Sequence, residues 1–277
     1  MLPTQPIRLI AMDLDDTLLT DDKIISPANL QALKEAQEKG IIIIFVTGRM
    51  YGSASRYAHV LGLDVPIVTY EGGLIKTGLS HQTLFSAPLS LQAAITASRV
   101  LENHGGMNNA AVEDIFIAAQ DSPIAQRYRT LHRMEVRVVG PLSRWFQSEH
   151  FDANWEIHKI IYEDDHQNIL KAQEDLNQHA DILNITRSYP EFLEIGPVGI
   201  NKGFAVNWLA DYYNIPPEEI MVIGDGGNDI DMFKAAGFSV CMANGQELAK
   251  EHAHYVGKSN QEDGVADAIY RFALKTK

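Results

Sequence analysis

The run Ile41–Val46 restricts the fold more than any other segment of this 277-residue chain. Its sequence is IIIIFV, which contains no polar residue. A strand with one face in water would alternate apolar and polar side chains, so the run predicts a strand buried on both faces. Strands of this kind lie at the centre of a parallel sheet.

The residues before this run predict a strand and a helix, which together with it form a βαβ unit. Residues 7–12, which are apolar except for Arg8, are predicted to form the first strand, and the acidic sequence DLDDT follows it at 13–17. Ser26 can cap a helix, Pro27 suits the first helical position, and Gly40 suits the end of the helix.

The same alternation recurs on both sides of the middle of the chain. A helix over 53–61 precedes a strand over 66–69, and a helix over 203–213 precedes a strand over 220–223. This order predicts an α/β fold with a doubly wound, Rossmann-like parallel sheet. We also expect a last amphipathic helix, whose apolar face carries Val265, Ile269 and Phe272.

The middle of the chain has a different pattern, in which helices are mixed with short hairpin-like strands. Helices are predicted over 90–103 and 168–179, and strands over 115–117, 136–139 and 182–185. This mixture predicts a separate α+β unit. We therefore predict an α/β core at 1–85 and 188–277, interrupted by an inserted α+β domain at 86–187.

Polar residues follow three of the predicted core strands. In an open parallel sheet, ligands bind outside the carboxyl ends of the strands. Converging carboxylates repel one another unless a cation lies among them, and hard oxygen ligands favour Mg²⁺. The groups delivered to this edge are Asp13 and Asp15, then Thr47, Gly48 and Arg49, then Asp225, Asn228 and Asp229.

The net charge argues against polyanionic partners. The chain has 23 Lys and Arg against 36 Asp and Glu, a formal net charge of −13. Such a surplus repels nucleic acid and anionic lipid, so neither nucleic acid nor a membrane is an expected partner. A metal ion in an acidic pocket would still attract a small phosphate compound.

The cysteine content and the N-terminus favour a protein of the cytoplasm. Cys241 is the single cysteine, which excludes an intramolecular disulfide and argues against a cysteine-based zinc site. The first residues lack the basic and apolar regions of a secretory signal, and the apolar runs near them are far shorter than the roughly 20 residues of a membrane span. We expect a soluble monomer or weak homo-oligomer.

Four segments of the chain together resemble the motifs of the haloacid dehalogenase-like hydrolases. In chain order they are DLDDTLL at 13–19, TGR at 47–49, NKG at 201–203 and GDGGND at 224–229. Each segment alone is also compatible with an ordinary turn, but four in this order at predicted strand ends are specific. The position and size of the insert, with the sequence QEDGVA at 261–266, resemble the type IIB, Cof-like phosphatases of this family.

The resemblance implies a Mg²⁺-dependent phosphatase that hydrolyses a small phosphorylated metabolite, such as a sugar phosphate. Asp13 would attack phosphorus and form an aspartyl-phosphate, and Asp15 would act as the general acid and base. Thr47, Gly48 and Lys202 would bind the phosphoryl oxygens.

The resemblance also implies a metal site and a specificity domain. Asp13, Asp225 and the backbone carbonyl of Asp15 would hold Mg²⁺, while Asn228 and Asp229 would complete or orient the site, with Asn228 also near the substrate. The inserted domain would act as a cap that selects the substrate. Its candidate substrate contacts are Arg187, Ser188, His158 and Lys159.

Two positions depart from the family pattern. Asp16 stands where the family more often has glycine, which reduces the backbone freedom there. Glu71 stands where the family commonly has asparagine, and an extra carboxylate at that position would disfavour some anionic substrates. Arg49 we interpret as structural.

Other classes of protein fit the sequence less well. A dinucleotide-binding dehydrogenase would need a third glycine where Asp229 stands. A P-loop enzyme would need the sequence GxxxxGK[ST], which does not occur. A phosphomutase with the same aspartyl chemistry, and a non-catalytic module that binds a phosphorylated ligand, remain as alternatives.

Overall fold

A computed structural model describes residues 2–62, 64–187 and 189–274. The chain forms two compact units. The first unit comprises Met1–Gly48, Ala54–Leu84 and Asn201–Lys277, and the second comprises Arg49–Ser53 and Phe85–Ile200. Within the described ranges, no helix is long and apolar enough to span a membrane.

The described residues form fourteen strands. They are β1 (Leu9–Met12), β2 (Ile42–Val46), β3 (Pro66–Thr69), β4 (Leu74–Thr77), β5 (Thr83–Ser86), β6 (Met107–Val112), β7 (Ile115–Ala118), β8 (Val136–Val138), β9 (Ile157–Glu163), β10 (Leu183–Thr186), β11 (Phe192–Pro197), β12 (Ile220–Gly224), β13 (Phe238–Cys241) and β14 (Tyr255–Val256).

The same ranges contain ten α-helices, besides shorter helical turns. They are α1 (Pro27–Glu38), α2 (Tyr51–Leu61), α3 (Leu91–Glu102), α4 (Pro123–Thr130), α5 (Leu142–Trp145), α6 (His166–Asn177), α7 (Lys202–Tyr213), α8 (Ile230–Ala235), α9 (Glu247–His252) and α10 (Gly264–Ala268).

The first unit contains the predicted parallel sheet. Its strand order is β14-β13-β12-β1-β2-β3-β4-β5, and the pairs from β14 to β3 are parallel. Leu9 of β1 pairs with Ile42 on one side and with Ile220 on the other. The carboxyl ends of β1, β2 and β12 therefore lie side by side at one edge of the sheet.

The structure contains the buried strand, the helix cap and the apolar helix face that the sequence predicts for this unit. Ile44 and Phe45 of β2 are completely buried, as the uninterrupted apolar run requires. The Ser26 hydroxyl accepts a hydrogen bond from the backbone N–H of Asn29 and caps α1, which Pro27 opens. Helix α10 and the wider helical turn Ile269–Ala273 pack against α1 and bury the predicted apolar face.

The second unit is an α+β structure around a mostly antiparallel sheet. Its strand order is β10-β11-β9-β6-β7-β8, and only β7 and β8 among its paired strands run parallel. Helices α3 and α6 cover the sheet and share one apolar core with it. Ile160 of β9 and Leu193 of β11 are completely buried in that core.

The second boundary of this unit differs from the sequence prediction. Phe192–Pro197, predicted to belong to the core, pairs antiparallel with both β10 and β9. The unit therefore continues to Ile200 rather than ending at Arg187. The sequence FLEIGP ends in a glycine and a proline, which are uncommon within strands. Only its first four residues carry a period-2 pattern, and four residues are too few to predict a strand on their own.

Candidate active site

Asp13 is the first residue after β1 and is held inside the protein. Its side chain is 8% exposed, and its backbone N–H donates to the Ile223 carbonyl of the neighbouring strand β12 at 3.0 Å. Burial raises the pKa of Asp13 well above its usual value. The charge of Lys202 opposes this rise, while the charges of Asp229, Asp225 and Asp15 add to it.

Lys202, at the start of α7, is the cation of the site. It is 1% exposed, and its Nζ donates to Asp13 Oδ1 at 2.7 Å and to Asp229 Oδ1 at 2.6 Å. Burial would lower the Lys202 pKa, but attraction to Asp13, then Asp229, then Glu71 outweighs it and raises the pKa well above its usual value. Lys202 therefore stays charged between two buried carboxylates.

The start of α7 is built to bring Lys202 to this position. Asn201 caps the helix, since its Oδ1 accepts a hydrogen bond from the Phe204 N–H at 2.8 Å. A Cβ on Gly203 would lie 2.5 Å from the carbonyl oxygen of Asp231 in α8. Only glycine therefore allows α7 to pack this closely against α8.

Asp229 joins Lys202 to the loop that follows β12. Its second oxygen, Oδ2, accepts hydrogen bonds from the backbone N–H groups of Asp225 at 2.8 Å and Gly226 at 2.9 Å. Gly224 leaves room for this carboxylate, because a Cβ there would lie 2.5 Å from Asp229 Oδ2. Asp229 therefore fixes the shape of the loop that presents Asp225.

Asp225 is the first residue of the loop that follows β12, and it contacts the helical turn that follows β1. The Thr17 hydroxyl donates to its Oδ1 at 2.7 Å. Burial and the charge of Asp229 are the two largest causes that raise the pKa of Asp225 to about 7. Asp13 and Asp225 thus repel each other in a buried place, where a divalent cation would favour their ionised forms.

The donor set at this edge is compatible with Mg²⁺. Among the residues that the structure describes, no three His, Cys, Asp or Glu side chains are grouped as a metal site. The predicted ligands are two carboxylates and the Asp15 carbonyl, and Mg²⁺ characteristically takes one or two carboxylates and keeps several waters. The chemistry of these oxygen donors therefore fits the ion.

Asp15 lies in a helical turn, Leu14–Leu18, and contacts a lysine that sequence reasoning missed. Lys23 Nζ lies 2.9 Å from Asp15 Oδ1 and 3.3 Å from Asp16 Oδ1. Asp16 has φ of 59°, a left-handed conformation that aspartate tolerates better than most residues. No motif marks Lys23, because its contact depends on the return of the chain before α1.

Thr47 follows β2 at the same edge of the sheet. It is 2% exposed, its N–H donates to the Val68 carbonyl at 2.9 Å, and its carbonyl accepts from the Glu71 N–H at 3.3 Å. Gly48 is the next residue of this loop. Arg49 is buried and donates to the Ser53 hydroxyl at 3.4 Å, and its structural role stays a prediction.

Glu71 is brought to the site by the turn after β3. Asn228 Nδ2 donates to both of its carboxylate oxygens, at 3.2 Å and 3.3 Å. The sequence marked Glu71 as a departure from the family pattern, but it did not indicate this contact with Asn228.

The candidate substrate contacts of the second unit are placed as follows. Arg187 is exposed, between β10 and β11, while Ser188 lies outside the described residues. His158 and Lys159 are buried in β9, and Lys159 Nζ lies 2.9 Å from Glu194 Oε1 of the neighbouring strand β11. The roles predicted for these four residues stay predictions.

Known proteins are similar in sequence to nearly the whole chain. A family model described as haloacid dehalogenase-like hydrolase matches residues 10–269. The chain is 32% identical over 269 residues to the 5-amino-6-(5-phospho-D-ribitylamino)uracil phosphatase YcsE of Bacillus subtilis, with 97% of this chain and 96% of that protein covered. It is also 30% identical over 276 residues to a protein of Arabidopsis thaliana named chloroplastic endoribonuclease YBEY. That match covers 96% of this chain but only 46% of the Arabidopsis protein, so the chain spans less than half of it.

The fold is also that of a solved phosphatase. The haloacid dehalogenase subclass IIB sugar phosphatase BT4131 superposes with a TM-score of 0.81 at 20% sequence identity, covering 97% of this chain and 100% of that one. The chain belongs to the haloacid dehalogenase-like hydrolases. The predicted α/β fold and the enzyme class, a phosphoric monoester hydrolase, are confirmed.

Proposed function

We propose that this protein is a Mg²⁺-dependent phosphatase that hydrolyses a small phosphorylated metabolite through an aspartyl-phosphate on Asp13. The observation that carries the proposal is the buried bridge of Lys202 to Asp13 and Asp229, at 2.7 Å and 2.6 Å. A charged lysine held between two carboxylates at the carboxyl ends of β1 and β12 supplies a fixed positive charge where a phosphoryl group would bind.

In the first step, a carboxylate oxygen of Asp13 forms a bond to phosphorus, and the bond from phosphorus to the leaving oxygen breaks. Asp13 Oδ1 accepts a hydrogen bond from Lys202, so we assign the attack to Oδ2. Asp15, two residues further along the chain, gives its proton to the leaving oxygen. The product of this step is the aspartyl-phosphate and the free alcohol.

In the second step, water attacks phosphorus and Asp15 takes the proton of that water. The bond between phosphorus and the Asp13 oxygen breaks, which restores the carboxylate and releases inorganic phosphate. Covalent catalysis of this kind divides one difficult hydrolysis into two easier steps.

Charge neutralisation would come from both the protein and the metal. Mg²⁺, held by Asp13, Asp225 and the Asp15 carbonyl, would supply Lewis-acid stabilisation of the phosphoryl oxygens. Lys202, the Thr47 hydroxyl and the Gly48 N–H would bind the remaining oxygens. Asp229 supports both parts, because it binds Lys202 and orders the loop that carries Asp225.

The substrate class we propose is a phosphomonoester of a sugar or sugar-like alcohol. The Bacillus subtilis relative carries a phosphoribityl compound in its name, which makes such compounds the first candidates to assay. Selection among them by the second unit remains a prediction.

Phosphate release from a panel of phosphorylated sugars and cofactors, with and without Mg²⁺, tests this function. The wild-type protein should release phosphate only with the metal. The substitution Asp13→Asn should reduce turnover by at least about 10³-fold, because a neutral amide cannot act as the nucleophile. Asp22→Asn, at an exposed aspartate nearby, is the matched control and should keep its activity.

The outcomes separate the alternatives. Turnover that survives Asp13→Asn or removal of the metal would contradict the mechanism. Transfer of phosphate to a second hydroxyl, seen in the products, would indicate a phosphomutase. Binding of panel compounds without turnover would indicate the non-catalytic module.

A further inference from the structure

We propose that Glu71 competes with the substrate phosphate for its binding groups, and so weakens the affinity of the site for phosphate. The inference rests on the proposed function, in which Lys202 and the loop of Thr47 bind the phosphoryl oxygens, and on the prediction from the sequence that Asn228 also lies near the substrate. It goes further by assigning Glu71 the role of an internal anion that the substrate displaces.

The first support is the contact with Asn228. The Asn228 amide nitrogen donates to both carboxylate oxygens of Glu71, at 3.2 Å and 3.3 Å. A carboxylate only accepts hydrogen bonds, as a phosphate oxygen does. A donor predicted to lie near the substrate is therefore engaged by an anion of the protein itself.

The second support is electrostatic. After Asp13 and Asp229, Glu71 is the third carboxylate whose charge acts on Lys202 and raises its pKa. Glu71 also lies within the buried part of the site, with 9% of its surface exposed. Water screens such a charge poorly, so a phosphate dianion that approaches Lys202 meets its repulsion.

The third support is the backbone that holds Glu71 in place. Tyr70 and Glu71 have φ of 53° and 58°, both in the left-handed region that is unfavourable for residues other than glycine. The Glu71 N–H donates to the Thr47 carbonyl at 3.3 Å, in the loop after β2. Strained conformations of this kind persist where the surrounding structure fixes them and are concentrated at functional sites.

The consequence is selectivity against anions. A carboxylate beside the phosphate-binding groups weakens the binding of substrate and product phosphate alike, and most strongly for compounds with a second anionic group nearby. Neutral or cationic leaving groups are affected least. Glu71 is thus a specificity-determining residue rather than a catalytic one.

Isothermal titration calorimetry with inorganic phosphate, in the presence of Mg²⁺, tests this role without requiring turnover. Glu71→Gln keeps the shape and an acceptor for Asn228 but removes the charge. It should lower the dissociation constant of phosphate by about fivefold or more, the effect expected for loss of one nearby charge. The KM for a phosphomonoester should fall in parallel, with a smaller change in kcat.

Asp16→Asn is the matched control. Asp16 is also a carboxylate near Asp225, but it is paired with Lys23, and its side chain is 38% exposed. Its substitution removes one negative charge without touching Asn228 and should change phosphate affinity by less than about twofold.

Three results would overturn the inference: an unchanged phosphate affinity in Glu71→Gln, a weaker one, or an equal gain in Asp16→Asn. A weaker affinity would mean that Glu71 instead orients Asn228 for phosphate. Failure of the proposed function would give a different result: the wild-type protein would release no phosphate from any compound of the panel.

Discussion

Each unit of the molecule contains a buried lysine that is paired with one or two carboxylates. The two lysines differ in their position relative to the sheet of their own unit. In the first unit, Lys202 begins a helix and binds Asp13 and Asp229, both in loops that follow parallel strands. In the second unit, Lys159 lies within a strand and binds Glu194 of the adjacent antiparallel strand.

The two positions differ in whether a ligand can approach the charged groups. Loops at the carboxyl edge of a parallel sheet bring side chains from several strands together around a crevice, where they can surround a ligand. A cross-strand pair on one face of an antiparallel sheet stabilises the register of the two strands. We therefore expect the Lys202 cluster to control catalysis and the Lys159 pair to control stability.

Loss of Lys202 should have the largest effect. Lys202→Met leaves two buried carboxylates without their cation, so it should reduce kcat by about 10³-fold and destabilise the protein by about 3 kcal/mol. Phosphate release and urea denaturation measure the two effects. Lys34→Met, at an exposed lysine of α1, is the control, and near-normal kcat in Lys202→Met would contradict the comparison.

Loss of the cross-strand pair should act on the second unit alone. Glu194→Gln removes the charge that faces the 3%-exposed Lys159 and should destabilise the protein by about 2 kcal/mol. Hydrogen exchange should locate the change in β9 and β11. The kcat for a small phosphomonoester should change by less than about twofold, and a loss like that of Lys202→Met would show that the two lysines share one role.

Cys241 provides the most local test, because its reactivity reports the negative potential beside the site without any change to catalysis or folding. Burial, then the charges of Asp225 and Asp229, raise its pKa to about 12. The reactive thiolate is therefore scarce at pH 8, and iodoacetamide should alkylate the folded protein about 10³-fold more slowly than the unfolded chain.

Asp225→Asn should partly restore this reaction by removing one of the charges that raise the Cys241 pKa. Equal alkylation rates in folded and unfolded wild-type protein would show that the thiol is neither buried nor in a negative field.

The sequence predicted the first unit well because its signals are local. The uninterrupted run at β2 requires burial on both faces, and Ser26 with Pro27 marks the start of α1 through one hydrogen bond and one fixed dihedral angle. Three of the four motifs follow β1, β2 and β12, and the fourth begins α7, so a correct order of strands and helices brings Asp13, Asp225 and Lys202 together.

The second unit was harder to predict because its strands depend on their partners. Phe192–Pro197 forms a strand through pairing with β9 and β10, and the residues alone carry only a weak pattern. The contacts of Lys23 with Asp15 and of Glu71 with Asn228 were missed for a similar reason. Each joins loops whose meeting depends on tertiary structure.

The most direct test of the central claim is mass spectrometry of the protein after acid quenching during turnover with Mg²⁺ and an active phosphomonoester. A peptide that contains Asp13 should be heavier by one phosphoryl group, and Asp13→Asn should abolish both the adduct and phosphate release. Phosphate release by Asp13→Asn at the wild-type rate, or an adduct on another residue, would contradict that claim.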